Sequence, residues 1–233
     1  SLDLSQSMLQ EDFTPNRLEK AKEVLSEFID KRTDDRLALI VFGGDAYTKV
    51  PLTFDHNVIK EMTGKLTVDD ITSNTRTAIG MGIGVALNRL KDSEAKSKVI
   101  ILLTDGENNS GEMSPSAAAD IAKELGIKIY TIGIGAKEIK VPSFFGYTTV
   151  KNTELDENML KSIAETTGGE YFRASDSKEF KEIFNKIDAL EKTQIDGRSF
   201  YDKHELFENL LKLSLILLVL GIFFEYVFYI RIP

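Results

Sequence analysis

Apolar runs alternate with amphipathic helical patterns from the start of the chain to about residue 192. PNRLEKAKEVLSEFIDK (15–31) sets Leu18, Ala21, Val24, Leu25 and Phe28 at helical spacing, with Pro15 suited to a first turn. RLALIVFG (36–43) reads as a short buried strand, and AYTKVPL (46–52) as its hairpin partner after the turn residues Gly43, Gly44 and Asp45. HNVIKEMTGKL predicts a short helix and TAIGMGIGVALNRLK (77–91) a longer one. KVIILLT (98–104) is apolar without a break, as strands buried on both faces of a parallel sheet are. SPSAAADIAKELG (114–126) reads as a helix, with Ser114 as N-cap and Gly126 as its stop. IKIYTIGIG predicts a strand, and LDENMLKSIAETTGG a helix ended by Gly168 and Gly169. EYFRA follows as a last strand and SDSKEFKEIFNKIDALEKT as a closing helix.

Such alternation predicts an α/β fold: a doubly wound, mostly parallel sheet with one antiparallel edge strand and helices on both faces. It occupies residues 1–192, and a polar connector follows over 193–212. The pattern then changes. LSLILLVLGIFFEYVFYI (213–230) holds Glu225 as its only charge, between Lys212 and Arg231. Its length as a helix, roughly 27 Å, is close to the ~30 Å of a bilayer core. It lacks the polar face of a surface helix, so one C-terminal transmembrane helix is expected, with Tyr226 and Tyr229 near an interface. Glu225 is either protonated or reaching toward headgroups, or it pairs with a polar group on another membrane helix.

Composition narrows the chemistry. The net charge is −8, which argues against a nucleic-acid partner. There is no cysteine, so disulfides and thiolate metal sites are excluded. The only histidines, His56 and His204, are far apart in sequence. In a doubly wound sheet, ligands sit beyond the carboxyl ends of the strands where the strand order reverses. Asp3 ends the first apolar stretch, Asp105 ends the fourth strand, and Thr77 opens the preceding helix on the same rim. With Ser5 and Ser7 they form an all-oxygen set: Asp3, Ser5, Ser7, Thr77 and Asp105. Such donors suit a hard divalent cation, Mg²⁺ first, with Mn²⁺ or Ca²⁺ as alternatives.

DLSQS, the threonine of TAIG and LLTDGEN resemble the metal-ion-dependent adhesion site of von Willebrand factor type A domains, D-x-S-x-S then Thr then Asp. RLALIVFGGDAYTKVPLT, TRTAIGMGIGVALNRLK and IKIYTIGIG resemble the membrane-anchored bacterial subgroup associated with aerotolerance, the BatA-like proteins. Gln6 stands where that family often has glycine, which adds a side chain and removes no ligand. The resemblance implies that Ser5 and Ser7 bind the ion directly, Thr77 directly or through water, and Asp3 and Asp105 mostly through water. One coordination position would stay open for a carboxylate from a protein partner. Sister membrane proteins with the same domain type and a MoxR-type AAA+ ATPase are the implied associates. The implied location is the bacterial inner membrane, with the domain periplasmic. Family members carry membrane helices and more of strand one before the domain, so an N-terminal truncation of this sequence is expected.

Other functions fit less well. A serine hydrolase is expected to show a G-x-S-x-G elbow and a histidine partner. A Mg²⁺-dependent phosphotransferase or hydrolase needs a carboxylate two residues after its nucleophilic aspartate, and Ser5 stands there. GMGIG (80–84) lies inside a helical pattern and is read as close helix packing, not phosphate binding. No enzyme is therefore expected. A structural membrane scaffold with a non-functional metal site is the remaining alternative. Loops 107–113 and 136–152 flank the rim, and Phe144, Phe145 and Tyr147 are candidate interface anchors or core covers.

Overall fold

The computed structural model describes the backbone of residues 1–72, 75–136, 138–143, 146–151, 155–196 and 207–229. Side chains are described throughout these except at 138–143, 146–151, 192–196, 207–210, 212–213 and 226–229. Contacts divide the chain into two units, Ser1–Lys192 and Thr193–Pro233.

In chain order the first unit holds β1 (Leu2–Asp3), α1 (Arg17–Asp30), β2 (Leu37–Phe42), β3 (Ala46–Thr53), α2 (His56–Gly64) and α3 (Ile79–Leu90). It continues with β4 (Val99–Thr104), α4 (Pro115–Glu124), β5 (Lys128–Ile134), β6 (Glu138–Ser143), β7 (Gly146–Lys151), α5 (Glu157–Thr167), β8 (Tyr171–Ala174) and most of α6 (Ser177–Asp196), whose last residues lie past Lys192. The main sheet runs β3-β2-β1-β4-β5-β8. Every neighbouring pair is parallel except β2 with β3, which makes β3 the antiparallel edge.

Residues alternate across the sheet because successive side chains of a strand point to opposite faces. Leu39 and Val41 face α1 and α6, where they meet Leu18, Ala21, Val24, Phe180 and Phe184. Ile40 and Phe42 face α3, α4 and α5, where they join Ile79, Ile83, Ala118, Ala122 and Leu160. Helix ends follow local chemistry. The Ser114 hydroxyl accepts from the Ala117 amide at 3.2 Å, and Pro115 takes the first helical position. Gly126 and Gly168 both adopt positive φ where their helices stop. Pro15 lies outside α1, which starts two residues later; Asn16 is its N-cap and accepts from the Glu19 amide at 2.8 Å.

Within the segment 136–152, read as a loop, β6 and β7 pair antiparallel, with Ile139 opposite Val150 and Val141 opposite Thr148. Its period-two alternation of branched and charged residues suits strand pairing. Phe144 and Phe145, and the side chain of Tyr147, lie outside the described residues.

The end of the sheet away from the site carries a buried polar anchor. Glu191 of α6 is 5% exposed and accepts from Tyr130 Oη at 2.7 Å, Ser97 Oγ at 2.9 Å and Lys128 Nζ at 3.3 Å. Burial pushes its carboxyl up, and these donors outweigh it, so the pKa is lowered overall. A carboxyl lowered on folding stabilises above its unfolded pKa and loses that stabilisation as pH falls through the folded one. Glu191→Gln is expected to cost about 1–2 kcal/mol at pH 7 and less in acid, read from urea midpoints at pH 7 and pH 4. An equal cost at both pH values would show that charge plays no part.

The second unit holds α7 (Phe207–Tyr229). Its described apolar side chains, from Leu215 to Leu220 and at Ile222, Phe223 and Phe224, are all exposed. The Ser214 hydroxyl donates to the Leu211 carbonyl at 2.9 Å, so that polar group is satisfied within the helix. The expected transmembrane span, 213–230, runs past the described side chains at both ends. Among the described residues, no helix is long and apolar enough to cross a membrane.

Candidate metal centre

Strand order reverses between β1 and β4, and the candidate residues collect at the carboxyl ends of these two strands. Asp3 ends β1. One carboxylate oxygen, Oδ1, accepts from the Ser5 amide at 2.8 Å, which turns the chain sharply off the sheet. The other, Oδ2, accepts from the Thr104 hydroxyl at 2.6 Å. A 3-10 turn over Gln6–Leu9 follows, anchored by the fully buried Met8. This turn brings the Ser5 and Ser7 hydroxyls to 3.0 Å from each other. The Ser7 hydroxyl donates to Asp105 Oδ1 at 2.6 Å.

Four of the five predicted residues are therefore joined by hydrogen bonds or turns at one point. The fifth, Thr77, lies near the residue that follows Asp105: a Cβ placed on Gly106 would lie 3.8 Å from its Oγ1. Asp3 and Asp105 are fully buried, and Ser5 and Thr77 nearly so. Burial, and then the nearby charge of Asp105, push the Asp3 carboxyl up to about 7. Two buried carboxylates this close repel each other, and a cation held between them would relieve that repulsion. Among the described residues there is no cluster of three or more His, Cys, Asp or Glu side chains suited to a metal. Two carboxylates and three hydroxyls thus make a weakly charged oxygen set, which fits a hard cation that keeps some of its water.

Sequence reasoning missed the residues that hold this set in place. Arg17 donates from Nη1 to Asp105 Oδ2 at 2.8 Å, with its side chain wholly buried. Its Nε and Nη2 donate to Asp12 Oδ1 and Oδ2, each at 2.8 Å. Burial pushes the Asp12 carboxyl up, and Arg17 and the Ala136 amide pull it down further, so its pKa is lowered. Arg17 shares a helical stripe with Ala21, Val24 and Phe28, and a cation on an apolar stripe was the available signal. Asn109 clamps Thr77, accepting from its amide at 2.8 Å and donating to its carbonyl at 3.0 Å. Asn108 Oδ1 accepts from the Ile79 amide at 2.8 Å and so caps α3 from the loop after Asp105. The glycines of GMGIG are packing residues. A Cβ on Gly80 would lie 2.1 Å from the Met113 carbonyl oxygen, and one on Gly82 2.7 Å from the Phe42 ring.

The domain is thus an α/β fold, a mostly parallel sheet with one antiparallel edge, that carries these oxygen donors at its switch point. Residues 2–186 match the von Willebrand factor type A domain family, and the chain belongs to it. An uncharacterized protein of Borreliella burgdorferi is 32% identical over 233 residues, covering 97% of this chain and 68% of that protein. A UPF0353 protein of Mycolicibacterium gilvum is 31% identical over 204 residues and 80% of this chain, which spans only 57% of that relative's length. Among solved structures, BatB from Bacteroides thetaiotaomicron superposes with a TM-score of 0.68 at 33% identity, over 82% of this chain and 96% of that one. An aerotolerance-related membrane protein from Bacteroides fragilis gives 0.65 at 31% identity, over 79% and 94%.

Proposed function

We propose that the chain is a membrane-anchored interaction module that recognises an acidic residue of a protein partner through a divalent cation of the Mg²⁺ type, with Mn²⁺ or Ca²⁺ as alternatives. The observation that carries this reading is the meeting of two buried carboxylates with the Ser5 and Ser7 hydroxyls at the sheet's switch point. Asp3, Ser5, Ser7, Thr77 and Asp105 hold the ion. Bound there, it supplies a Lewis-acidic position that an external carboxylate can fill. The residues themselves fix orientation. Asp3 is pinned by the Ser5 amide and the Thr104 hydroxyl, Asp105 by Ser7 and Arg17, and Thr77 by Asn109.

The membrane part of the proposal rests on the apolar segment 213–230 and on the exposed apolar side chains of α7. The described neighbour from B. fragilis is itself named a membrane protein. We place the domain, residues 1–192, on the periplasmic side of the bacterial inner membrane, joined by 193–212 to the span. It works there with sister proteins of the same domain type and a MoxR-type AAA+ ATPase, in an aerotolerance-related assembly.

Calorimetric titration of the detergent-solubilised chain with Mg²⁺ tests the metal, and Asp105→Ala is expected to abolish binding. Affinity capture from membranes in Mg²⁺ and in EDTA tests the contact. Partners lost in EDTA and in Asp105→Ala support the reading; partners retained in both would overturn it. Carbonate extraction tests the anchor, and release of the chain into the supernatant would exclude a membrane span.

A further inference from the structure

Arg17 is a fully buried cation at the first residue of α1, where the helix dipole disfavours positive charge. Helix formation does not explain it, and its partners do. The guanidinium divides three hydrogen bonds of 2.8 Å between a carboxylate inside the candidate metal set, Asp105, and one outside it, Asp12. Asp12 also accepts from the Ala136 amide at 2.8 Å, at the end of β5. Burial of a guanidinium is costly, and it is offset here only because both carboxylates stay charged and aligned.

We infer that Arg17 is a resident cation of the metal rim, a positioning residue that holds Asp105 aligned in the metal-free protein and thereby lowers the affinity for the divalent ion. The inference rests on the reading of the five oxygens as a metal centre. In the metal-free protein Arg17 offsets the repulsion between Asp3 and Asp105. With a divalent ion in place, the guanidinium presents a second positive charge to the same carboxylate in a poorly solvated site, so the ion is held less tightly than the two carboxylates alone would hold it. Asp3 and Asp105 balance the two charges of the ion. Asp12 balances the charge of Arg17, so the set as a whole carries no excess negative charge to repel an incoming carboxylate. Asp12 sets the strength of the effect, because it draws two of the three guanidinium bonds away from Asp105. A lysine in place of Arg17 would keep the charge without the fork that spans both carboxylates.

The test is Mg²⁺ titration calorimetry of the full chain in detergent, with thermal unfolding in EDTA and in Mg²⁺. Arg17→Gln is expected to bind Mg²⁺ about tenfold more tightly while melting lower in EDTA, so its Mg²⁺-induced rise in Tm exceeds that of the unaltered chain. Arg17→Lys, which keeps the charge, is expected to bind within about threefold of the unaltered chain. Asp12→Asn leaves Asp105 as the only charged partner of Arg17 and is expected to bind several-fold more weakly. A purely structural Arg17 would lower Tm equally with and without Mg²⁺, and equal or weaker binding by Arg17→Gln overturns the inference. Should that variant not fold, unchanged or tighter binding by Asp12→Asn overturns it instead. Absence of Mg²⁺ binding by the unaltered chain would remove the metal centre itself, an outcome distinct from a wrong sign in the variants.

Discussion

Asp3→Asn is expected to weaken magnesium binding by at least about a hundredfold, in a metal-free protein no less stable than the original. In the proposed reading Asp3 ligates the ion, whereas in the metal-free protein its buried charge is unfavourable, so the two effects separate. Its carboxyl is wholly buried and pushed up to about 7, first by burial and then by the charge of Asp105. Asparagine keeps the shape. Its Oδ1 can accept from the Ser5 amide as the carboxylate does, and its amide can donate to the Thr104 hydroxyl, which rotates to suit. Removing the repulsion with Asp105 is expected to raise the metal-free Tm by a few degrees, on the scale of ~1 kcal/mol. Asp3→Ala differs, because the Ser5 amide and the Thr104 hydroxyl lose their acceptor, a cost of about 1–3 kcal/mol. Asp105→Asn differs again: it deprives the buried Arg17 of a charged partner and is expected to destabilise by about 3 kcal/mol. Calorimetric titration and melting in EDTA measure both quantities. Unchanged magnesium affinity in Asp3→Asn would take Asp3 out of the ligand set.

How far the sequence announced this site depended on the range of the interaction. Asp3, Ser5 and Ser7 are neighbours in the chain, and Asp105 follows an unbroken apolar strand, so strand periodicity alone carries them to one rim. The mostly parallel sheet followed from the same alternation, and its antiparallel edge from the hairpin signal at 43–45. Arg17 was missed as a site residue because its bond to Asp105 spans 88 positions; its place on the apolar stripe of α1 hinted at burial but named no partner. Asn108 and Asn109 were assigned to a flanking loop, yet they cap α3 and clamp Thr77. That role exists only after α3 has docked against the loop that follows β4. The β6–β7 pair was obscured by Pro142 and by the aromatic-glycine sequence at 144–146, which read as loop although the flanking residues alternate. The apolar run 213–230 was legible as composition, and its ends lie outside the described side chains.

Gly80→Ala is expected to destabilise the domain by about 3 kcal/mol, lowering Tm by roughly 6–12 °C. The sign runs against helix propensity, since alanine within a helix is ordinarily favoured over glycine by about 1 kcal/mol. At Gly80 the new Cβ would lie 2.1 Å from the Met113 carbonyl oxygen and 2.8 Å from the carbonyl carbons of Met113 and Ser114. These are backbone atoms and cannot rotate away, so the first turn of α3 has to retreat from the loop ahead of α4. Thr77 lies three residues before Gly80 and is clamped to Asn109 of that loop, so the same retreat is expected to weaken magnesium binding several-fold. Two other glycines calibrate the result. Gly84→Ala meets only the thioether end of Met113, at 3.0 Å from its sulfur, and is expected to change stability by less than about 0.5 kcal/mol. Gly64→Ala, at the end of α2, meets nothing within 4 Å and is expected to stabilise by about 0.5–1 kcal/mol. Thermal melts of the three variants, with magnesium titrations alongside, read out the series. Should Gly80→Ala melt with Gly84→Ala, the close approach of α3 to Met113 would not be what positions Thr77, and Asn108 and Asn109 alone would have to hold the rim together.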